Sequence, residues 1–199
     1  MEIIRYASLK TMPWPNGGGV SRQLAAAPAT DGGFDWRISI AEVAKAGPFS
    51  PMPGMDRIIT VIDGELIALT VDGAEQALEK FRPFRFSGDS ETSAALPTGT
   101  LKDLNLITRR SAFKGYAAII ELSKKRPHPV FADQFAVLLQ GAATVSPAAV
   151  SVVDAGASSA APVTSAESLG KFDTVVGSED APEISGRGFL AILSIDPVG

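Results

Sequence analysis

The sequence predicts a mainly β protein built from two related barrel lobes, and three observations favour this class. Its 19 Gly and 14 Pro residues separate short runs rich in Ile, Val, Leu and Phe, which is typical of a β-sandwich or β-barrel. Long amphipathic helices are hard to find. A repeated segment suggests that a small barrel is duplicated within the 199 residues.

Short apolar runs bounded by turn residues predict the strands. They are Trp36–Val43, Arg57–Ile62, Glu65–Val71, Phe84–Phe86, Leu104–Arg109, Tyr116–Leu122, Gln134–Leu139, Val150–Val153 and Gly188–Ile195. Asp63 and Gly64 lie between two of these runs and predict a tight hairpin, because glycine tolerates the positive φ of a type I′ turn. Gln140 and Gly141 occupy a similar place later in the chain.

The repeated segment runs from Asp56 to Gly64 and aligns without a gap on the segment from Asp133 to Gly141. Duplication would produce such a repeat of strand, glycine turn and strand, although a single window of apolar residues can also match by chance. The stretch Gly156–Ala166 consists of small residues and predicts a surface loop. We expect a first lobe over residues 1–115 and a second over 116–199, the second being structural or a homodimer surface.

Composition excludes several function classes. A net charge of −4 without a basic stripe disfavours nucleic acid and anionic membranes as partners. The chain has no cysteine, so disulfides, thiolate metal sites and cysteine nucleophiles are excluded. No apolar run approaches the roughly 20 residues of a membrane helix. The first residues lack the features of a secretory signal, and we expect a cytoplasmic location.

Histidine is nearly absent, and this bears on metal binding. His128 is the only one and lies between two prolines, which predicts a surface turn. A histidine-based metal centre therefore cannot be built. A carboxylate site for Mg²⁺ or Ca²⁺ from Asp56, Asp89 or Asp103 stays open, but no ligand loop of familiar spacing supports it. We expect no metal, no cofactor and no serine nucleophile, because that serine would lack its histidine base.

Three successive glycines follow Asn16 in the segment Trp14–Arg22. Glycines let the backbone approach another surface closely and leave amides available to an anion. The segment is neither a P-loop nor a dinucleotide fingerprint, because the lysine and the glycine spacing of those motifs are missing. A bulged loop beside a barrel rim is the alternative interpretation.

Strand alternation groups polar side chains on two segments. Arg37, Ser39 and Ala41 share one face of the first, which is either a solvent-facing surface or a pocket wall. A rigid, proline-rich turn delivers Asp56 and Arg57 to the next strand. We expect Arg57 to bind a ligand, since a guanidinium holds a carboxylate through two parallel hydrogen bonds, and Asp56 to cap the turn or pair with a base.

A third strand carries the richest set of polar groups. Alternation places Asp103, Asn105, Ile107 and Arg109 on one face. These side chains would supply acceptor, mixed and donor groups to one small molecule at a barrel mouth. An exposed strand face with a salt bridge is the alternative, and the pattern alone does not choose between them.

Five ordered motifs resemble the HutD/Ves family. They are Trp14–Gly19 with Ser21, Phe34–Ser39, Gly47–Ser50, Pro53–Arg57, and Asp103–Leu106 with Arg109 and Arg110. The resemblance implies a bicupin, that is, two cupin-like β-barrel lobes in one chain. It also implies a link to bacterial histidine utilisation, in which a HutD protein is expected to act as a small-molecule-binding regulator.

The resemblance and the strand faces together give the expected ligand-binding residues: Asn16, Arg37, Ser39, Arg57, Asp103, Asn105 and Arg109. An arginine would hold the carboxylate of urocanate, formylglutamate or formiminoglutamate, and the asparagines would orient the molecule. We predict a metal-independent binding protein without catalytic residues. An enzyme acting on the same metabolites, with Asp103 as its acid or base, and a pure interaction module are the alternatives.

Overall fold

The computed structural model describes residues 1–30, 32–148 and 166–199. Within these residues the chain is mainly β, which confirms that part of the predicted class, and a single 3-10 turn at Tyr6–Ser8 is the only helical element. That turn is far too short to cross a membrane, and no other described helix exists that could. The described strands form open sheets, so two closed barrels are not confirmed.

The strands are given in chain order. They are β1 (Glu2–Ile4), β2 (Met12–Pro13), β3 (Gly19–Pro28), β4 (Phe34–Val43), β5 (Gly47–Pro48), β6 (Met55–Asp63), β7 (Leu66–Val71), β8 (Ala74–Glu79), β9 (Phe84–Ser87), β10 (Thr92–Ala95), β11 (Leu101–Arg109), β12 (Phe113–Leu122), β13 (His128–Pro129), β14 (Gln134–Ser146), β15 (Glu167–Leu169), β16 (Thr174–Val176) and β17 (Glu183–Pro197).

Two compact units divide the chain. The N-terminal unit comprises Tyr6–Ile119 with Ile192–Gly199, and the C-terminal unit comprises Met1–Arg5 with Ile120–Ala191. The chain passes from one unit to the other three times, between Arg5 and Tyr6, within β12 and within β17.

The N-terminal unit contains two antiparallel sheets. One has six strands in the order β2-β3-β4-β11-β6-β9, and the other has four in the order β5-β10-β7-β8. An apolar core joins strands of both sheets, because alternate residues of each strand point to the same side. Its buried members are Ala41, Val43, Ile59, Val61, Ile67, Leu69, Leu78, Phe86, Ala94 and Leu101.

The turn at Gly64 differs from the predicted hairpin. Gly64 has a φ of +88°, as the turn requires, but β6 and β7 belong to different sheets and do not pair. A Cβ at this position would lie 2.8 Å from the Cβ of Leu101, so the corner is tight as well as left-handed. The glycine therefore turns the chain from the six-stranded sheet to the four-stranded sheet.

In the C-terminal unit the strands run in the order β1-β16-β14-β17, with β13 on β17 and β15 on β14. The expected turn at Gly141 is wrong, because this residue lies inside the continuous strand β14. A Cβ on Gly141 would overlap the carbonyl of Arg187, and one on Gly188 would overlap that of Gln140. The two glycines are needed for this close backbone crossing, so the repeat does not extend to a second glycine turn.

Most predicted strands are confirmed, with ends that differ by a few residues. Val150–Val153 lies outside the described residues, as does the predicted loop Gly156–Ala166 except for its exposed last residue.

His128 was predicted in a surface turn but is half-buried in β13, opposite Ile184, and burial lowers the pKa of its imidazole. Strand β3 was not predicted, since its Ala-rich sequence has a helical preference that pairing with β4 overrides.

Candidate functional site

A cavity of about 360 Å³ lies within the N-terminal unit. Its polar lining residues come mainly from β3, β4, β6 and β11, and its apolar ones mainly from the segments around β2 and β5. The polar ones are Asn16, Ser21, Gln23, Arg37, Ser39, Ser50, Arg57, Asp103 and Asn105, and the apolar ones are Met12, Pro13, Trp14, Pro15, Ala41, Pro48, Phe49, Met52 and Ile107.

Strand register brings the central polar groups together in rows. Ile107 on β11 lies opposite Arg37 on β4 and Arg57 on β6, so the two arginines occupy one row with one strand between them. Asn105 lies in the next row, opposite Ser39. Neighbouring strands are about 4.8 Å apart, which places the Cα atoms of the two arginines about 10 Å from each other.

Arg57 is buried, with 7% of its surface exposed. Its guanidinium carbon lies 5.0 Å from the ring centroids of both Phe49 and Phe86, so two aromatic rings flank the cation. Burial lowers the pKa of this guanidinium to about 10, while the charge of Asp103 raises it and that of Arg37 lowers it further. Its Nε is buried and has no hydrogen-bond partner among the described residues.

Arg37 is the second cation of the row. Its guanidinium carbon lies 4.4 Å from the ring centroid of Phe34, and burial lowers its pKa. Within the described part of the chain its Nε is likewise buried without a partner. The two Nε–H groups are therefore donors without an acceptor in the described part of the chain.

Asp103 and Asn105 form a buried pair on β11, with 1% and 7% of their surfaces exposed. The Asn105 Nδ2 donates a hydrogen bond to the Asp103 Oδ1. Burial raises the pKa of the Asp103 carboxyl to about 7, against the charge of Arg57 and the bond from Asn105, which both lower it. The remaining amide oxygen, Asn105 Oδ1, is buried without a partner among the described residues.

The glycine segment forms the turn between β2 and β3 rather than an anion cradle. The Gly17 amide donates to the carbonyl of Trp14, and the Gly18 amide donates to the Asn16 Oδ1 at 2.9 Å. These two amides are thus used within the turn, contrary to the interpretation as an anion site. Asn16 is exposed at the edge of the cavity, where its oxygen is already bonded. The indole of Trp14 donates to Ser21.

Arg109 lies away from the six other predicted residues and does not line the cavity. Its Nε donates to the Asp35 Oδ1 at 2.8 Å, so it forms the salt bridge that was the alternative for this strand. Asp56 and Asp89 both accept hydrogen bonds from Arg110, at 2.7 and 2.9 Å. Among the described residues no three acidic or histidine side chains come together as a metal site.

Sequence reasoning missed two kinds of lining residue. Phe49 belongs to the motif Gly47–Ser50, but nothing in the local sequence indicates that its ring lies against Arg57. Gln23 lies opposite Ser39 in the structure, but β3 was not predicted, so its alternating pattern was not considered. Residue alternation on β3, with Ser21 and Gln23 on one side, is a signal that could have identified both polar residues.

Comparisons with known proteins agree on one family. A sequence profile of the HutD family matches residues 6–192. An uncharacterized 21.2 kDa protein in the hutC 3' region of Pseudomonas putida is 40% identical over 110 residues, which are 54% of this chain and 57% of that protein. Protein Ves of Citrobacter koseri is 36% identical over 123 residues, 59% of this chain and 64% of that protein. The chain thus spans less than two thirds of the length of these curated relatives.

Solved structures give the same result for the fold. HutD from Pseudomonas fluorescens is 28% identical, with a TM-score of 0.77 over 100% of this chain and 99% of that one. A conserved protein of unknown function from Pseudomonas aeruginosa is 26% identical over the same shares, also with a TM-score of 0.77. A cupin 2 conserved barrel domain protein from Leptotrichia buccalis is only 13% identical, with a TM-score of 0.59 over 99% of this chain and 96% of that one, and shows a likeness of fold alone.

Proposed function

The chain belongs to the HutD family, as its motifs predicted, and from that premise we propose that it is a metal-independent binding protein for a small carboxylate metabolite. One observation carries the proposal: Arg37 Nε, Arg57 Nε and Asn105 Oδ1 are buried without partners, in the part of the chain that is described, around a single cavity. Each unpaired buried group of this kind lowers the stability of the folded state by about 1–3 kcal/mol, and a charged one lowers it by more. A ligand that pairs with them offsets this cost.

The charges of the cavity favour an anion. Two guanidiniums and one carboxyl group line the cavity, and the pKa of Asp103, at about 7, leaves that carboxyl only partly ionised near neutral pH. The cavity therefore carries a net positive charge, although the whole chain carries −4. Arginine is well suited to a carboxylate, because its planar fork donates two parallel hydrogen bonds.

Family context narrows the class of ligand. We propose that it is an intermediate of histidine degradation, such as urocanate, formylglutamate or formiminoglutamate, since each carries at least one carboxylate. A protein that binds such an intermediate without converting it would report or limit flux through the pathway. The position of all lining residues between Met12 and Ile107 supports a ligand site in the first lobe, residues 1–115.

Calorimetry and thermal shift with these three compounds test the proposal. We expect one of them to bind at a ratio of one to one and to raise the melting temperature, because a ligand that binds only the folded state stabilises it. Arg57→Met keeps the bulk between Phe49 and Phe86 but removes the charge, and should weaken binding at least tenfold. Exposed Arg82 lies outside the cavity lining, and Arg82→Ala is the matched control that should bind as the wild type does.

If all three compounds fail to bind, the carboxylate proposal is wrong and the interaction module becomes the better hypothesis. If a compound binds but Arg57→Met binds it equally well, the site lies elsewhere. Either result is distinguishable from misfolding, because the melting temperature of each variant without ligand is measured in the same experiment.

A second candidate function is an enzyme acting on the same metabolites. The observation that favours it is Asp103, whose pKa of about 7 suits a general acid or base at neutral pH. Incubating the protein with each compound and following its conversion separates the two functions. Turnover that Asp103→Asn abolishes would support the enzyme, whereas stoichiometric binding without product supports the binding protein.

Three further expectations remain proposals. We propose that both lobes, residues 1–115 and residues 116–199, are cupin-like, which would make the chain a bicupin. We also propose that the second lobe is structural or forms a homodimer surface, and that the protein acts in the cytoplasm. Light scattering of the purified chain tests the dimer, and cell fractionation tests the location.

A further inference from the structure

The buried pair on β11 fixes the direction of an amide group in the cavity. Asp103 and Asn105 are two residues apart, and both line the cavity from the same face of the strand. An ionised carboxylate has acceptors but no donor, so only the amino end of the Asn105 amide can face it. The structure shows this arrangement, with Nδ2 bonded to Asp103 and Oδ1 left over.

The unpaired atom of this pair, Asn105 Oδ1, is a hydrogen-bond acceptor. The cavity therefore offers an acceptor as well as the donors of the arginines. Among the described residues, the buried cavity atoms without a partner are the Nε–H donors of Arg37 and Arg57 and the carbonyl oxygen of Asn105. The row of the arginines and the row of Asn105 are adjacent on the same sheet face, about 7 Å apart along the strands. A ligand that satisfies all three atoms carries an acceptor at one end and an N–H or O–H donor a few bonds away.

We propose that Asn105 determines specificity by accepting a hydrogen bond from an N–H group of the ligand, and that Asp103 is the positioning residue that keeps its carbonyl oxygen available. The site then selects carboxylates that also carry an N–H, as an acylated amine or an azole does, over carboxylates whose other polar atoms only accept. This inference rests on the proposed function, because it assumes that the cavity holds a carboxylate.

Selectivity arises from the cost of an unpaired buried acceptor. A ligand with an oxygen in place of the N–H would put two acceptors against each other, and neither the ligand atom nor Asn105 Oδ1 would then be paired. A ligand with the N–H pairs both. The expected difference in affinity is roughly tenfold or more.

Two matched pairs of probes test this at pH 8, where Asp103 is ionised. One pair is trans-urocanate and trans-3-(3-furyl)acrylate, in which a furan oxygen replaces the ring nitrogens. The other is N-acetylglutamate and 2-acetoxyglutarate, in which an ester oxygen replaces the amide N–H. Calorimetry should give the N–H member of each bound pair roughly tenfold tighter binding to the wild type.

The ratio within a pair is the measurement that a merely structural role would not change. Asn105→Ala should bring the ratio close to one, chiefly by weakening the N–H member, and Asn105→Ser serves if the alanine variant does not fold. Asp103→Asn should also reduce the ratio, because an amide at position 103 can present either its oxygen or its nitrogen to Asn105. Arg82→Ala should leave the ratio unchanged.

The two proposals can fail separately. If the members of a pair bind equally to the wild type while Arg57→Met loses both, the carboxylate site stands and the specificity inference is overturned. If Asn105→Ala weakens both members alike and preserves their ratio, Asn105 has only a structural role. If none of these probes binds and formylglutamate and formiminoglutamate also fail to bind, the proposed function falls together with this inference.

Discussion

Asp103 makes the stability of the folded chain depend on pH. Its carboxyl has a pKa of about 7 in the folded state, against an ordinary value of 3.8, because burial disfavours the charged form. Between these two values the folded state holds a proton that the unfolded state has released. Stability from this residue is therefore fully present below about pH 3.8 and is lost as the pH rises to about 7.

We predict that Asp103→Asn is more stable than the wild type at pH 8 and similar to it near pH 4. The difference should not exceed about 4 kcal/mol, since one pKa unit corresponds to about 1.4 kcal/mol. Urea denaturation at several pH values measures it, with Asp180→Asn at an exposed site as control. A difference between variant and wild type that does not change with pH would contradict the prediction.

The same residue predicts how binding of an anion depends on pH. Asp103 faces Arg57 and Asn105 in the cavity, with Arg37 in the row of Arg57, and the arginines keep their charge near neutral pH. Above pH 7 Asp103 becomes negative and repels a bound carboxylate. We predict that the Kd of formylglutamate is flat from pH 5.5 to about 7 and then rises, by at most tenfold per unit.

Asp103→Asn should bind formylglutamate with the same affinity across this range, because the titrating group is gone. Calorimetry in buffers of equal ionic strength measures both proteins. Tighter binding by the wild type at higher pH would mean that the ionised Asp103 contacts a donor of the ligand more strongly than it repels its carboxylate.

At the scale of elements, two neighbouring glycines have different reasons for being glycine. Gly17 has a φ of +64° with open space around it, so a side chain there is strained only by the backbone. Gly19 begins β3, and a Cβ there would overlap the carbonyl of Glu42 and lie 3.2 Å from the ring of Trp14. The first glycine serves the turn, and the second serves the pairing of β3 with β4.

Substitution by asparagine separates these reasons. Gly17→Asn should lower the free energy of unfolding by about 1 kcal/mol or less, because asparagine tolerates left-handed backbone better than other residues with a side chain. Gly19→Asn should lower the free energy of unfolding by about 2 kcal/mol or more, because the new side chain forces β3 away from β4 and from Trp14. It should also weaken ligand binding, because Trp14 lines the cavity. Melting temperatures and ligand titrations check both, and equal effects of the two variants would refute the distinction.

The difference between local causes, such as the backbone at Gly17, and contacts with distant residues, such as those of Gly19, also explains how much of the fold the sequence could predict. Central strands such as β4, β6 and β11 were predictable, because their β-branched and apolar runs favour an extended backbone whatever they pair with. The partner of a strand is not local information: Gly64 signals a turn, but not that β7 leaves for another sheet. Strand β3 was missed for the same reason, since only its pairing with β4 makes an Ala-rich segment extended.

The candidate site shows a similar limit. Alternation placed Arg37, Ser39, Asp103 and Asn105 on the faces that line the cavity, because a strand has a fixed period of two. Alternation also put Arg109 on that face, yet its strand position lies beyond the cavity and Asp35 binds it. Where a cavity ends along a strand depends on which loops cover it, and no pattern within the strand records this.

At the scale of the whole molecule, overall charge and local charge have opposite signs. The chain carries −4, yet its cavity is lined by the buried guanidinium of Arg57, the half-buried guanidinium of Arg37 and one carboxyl group. Exposed charges are screened by solvent, whereas the buried ones act at short range in a medium of low polarity. Net charge therefore disfavours polyanions as partners of the surface without arguing against a small anion within the fold.

The composition of the whole chain favours metal independence, and this expectation leads to the last prediction. The chain has one histidine and no cysteine, so we expect the nitrogen donors of the arginines, rather than a metal ion, to hold a ligand anion. We predict that dialysis against EDTA changes neither the Kd of formylglutamate nor the increase in melting temperature that it causes. At a concentration of 100 times the Kd that stabilisation should be about 2.7 kcal/mol. Loss of binding in EDTA, with recovery on adding Mg²⁺, Mn²⁺ or Zn²⁺, would show instead that carboxylates such as Asp103 hold a metal ion.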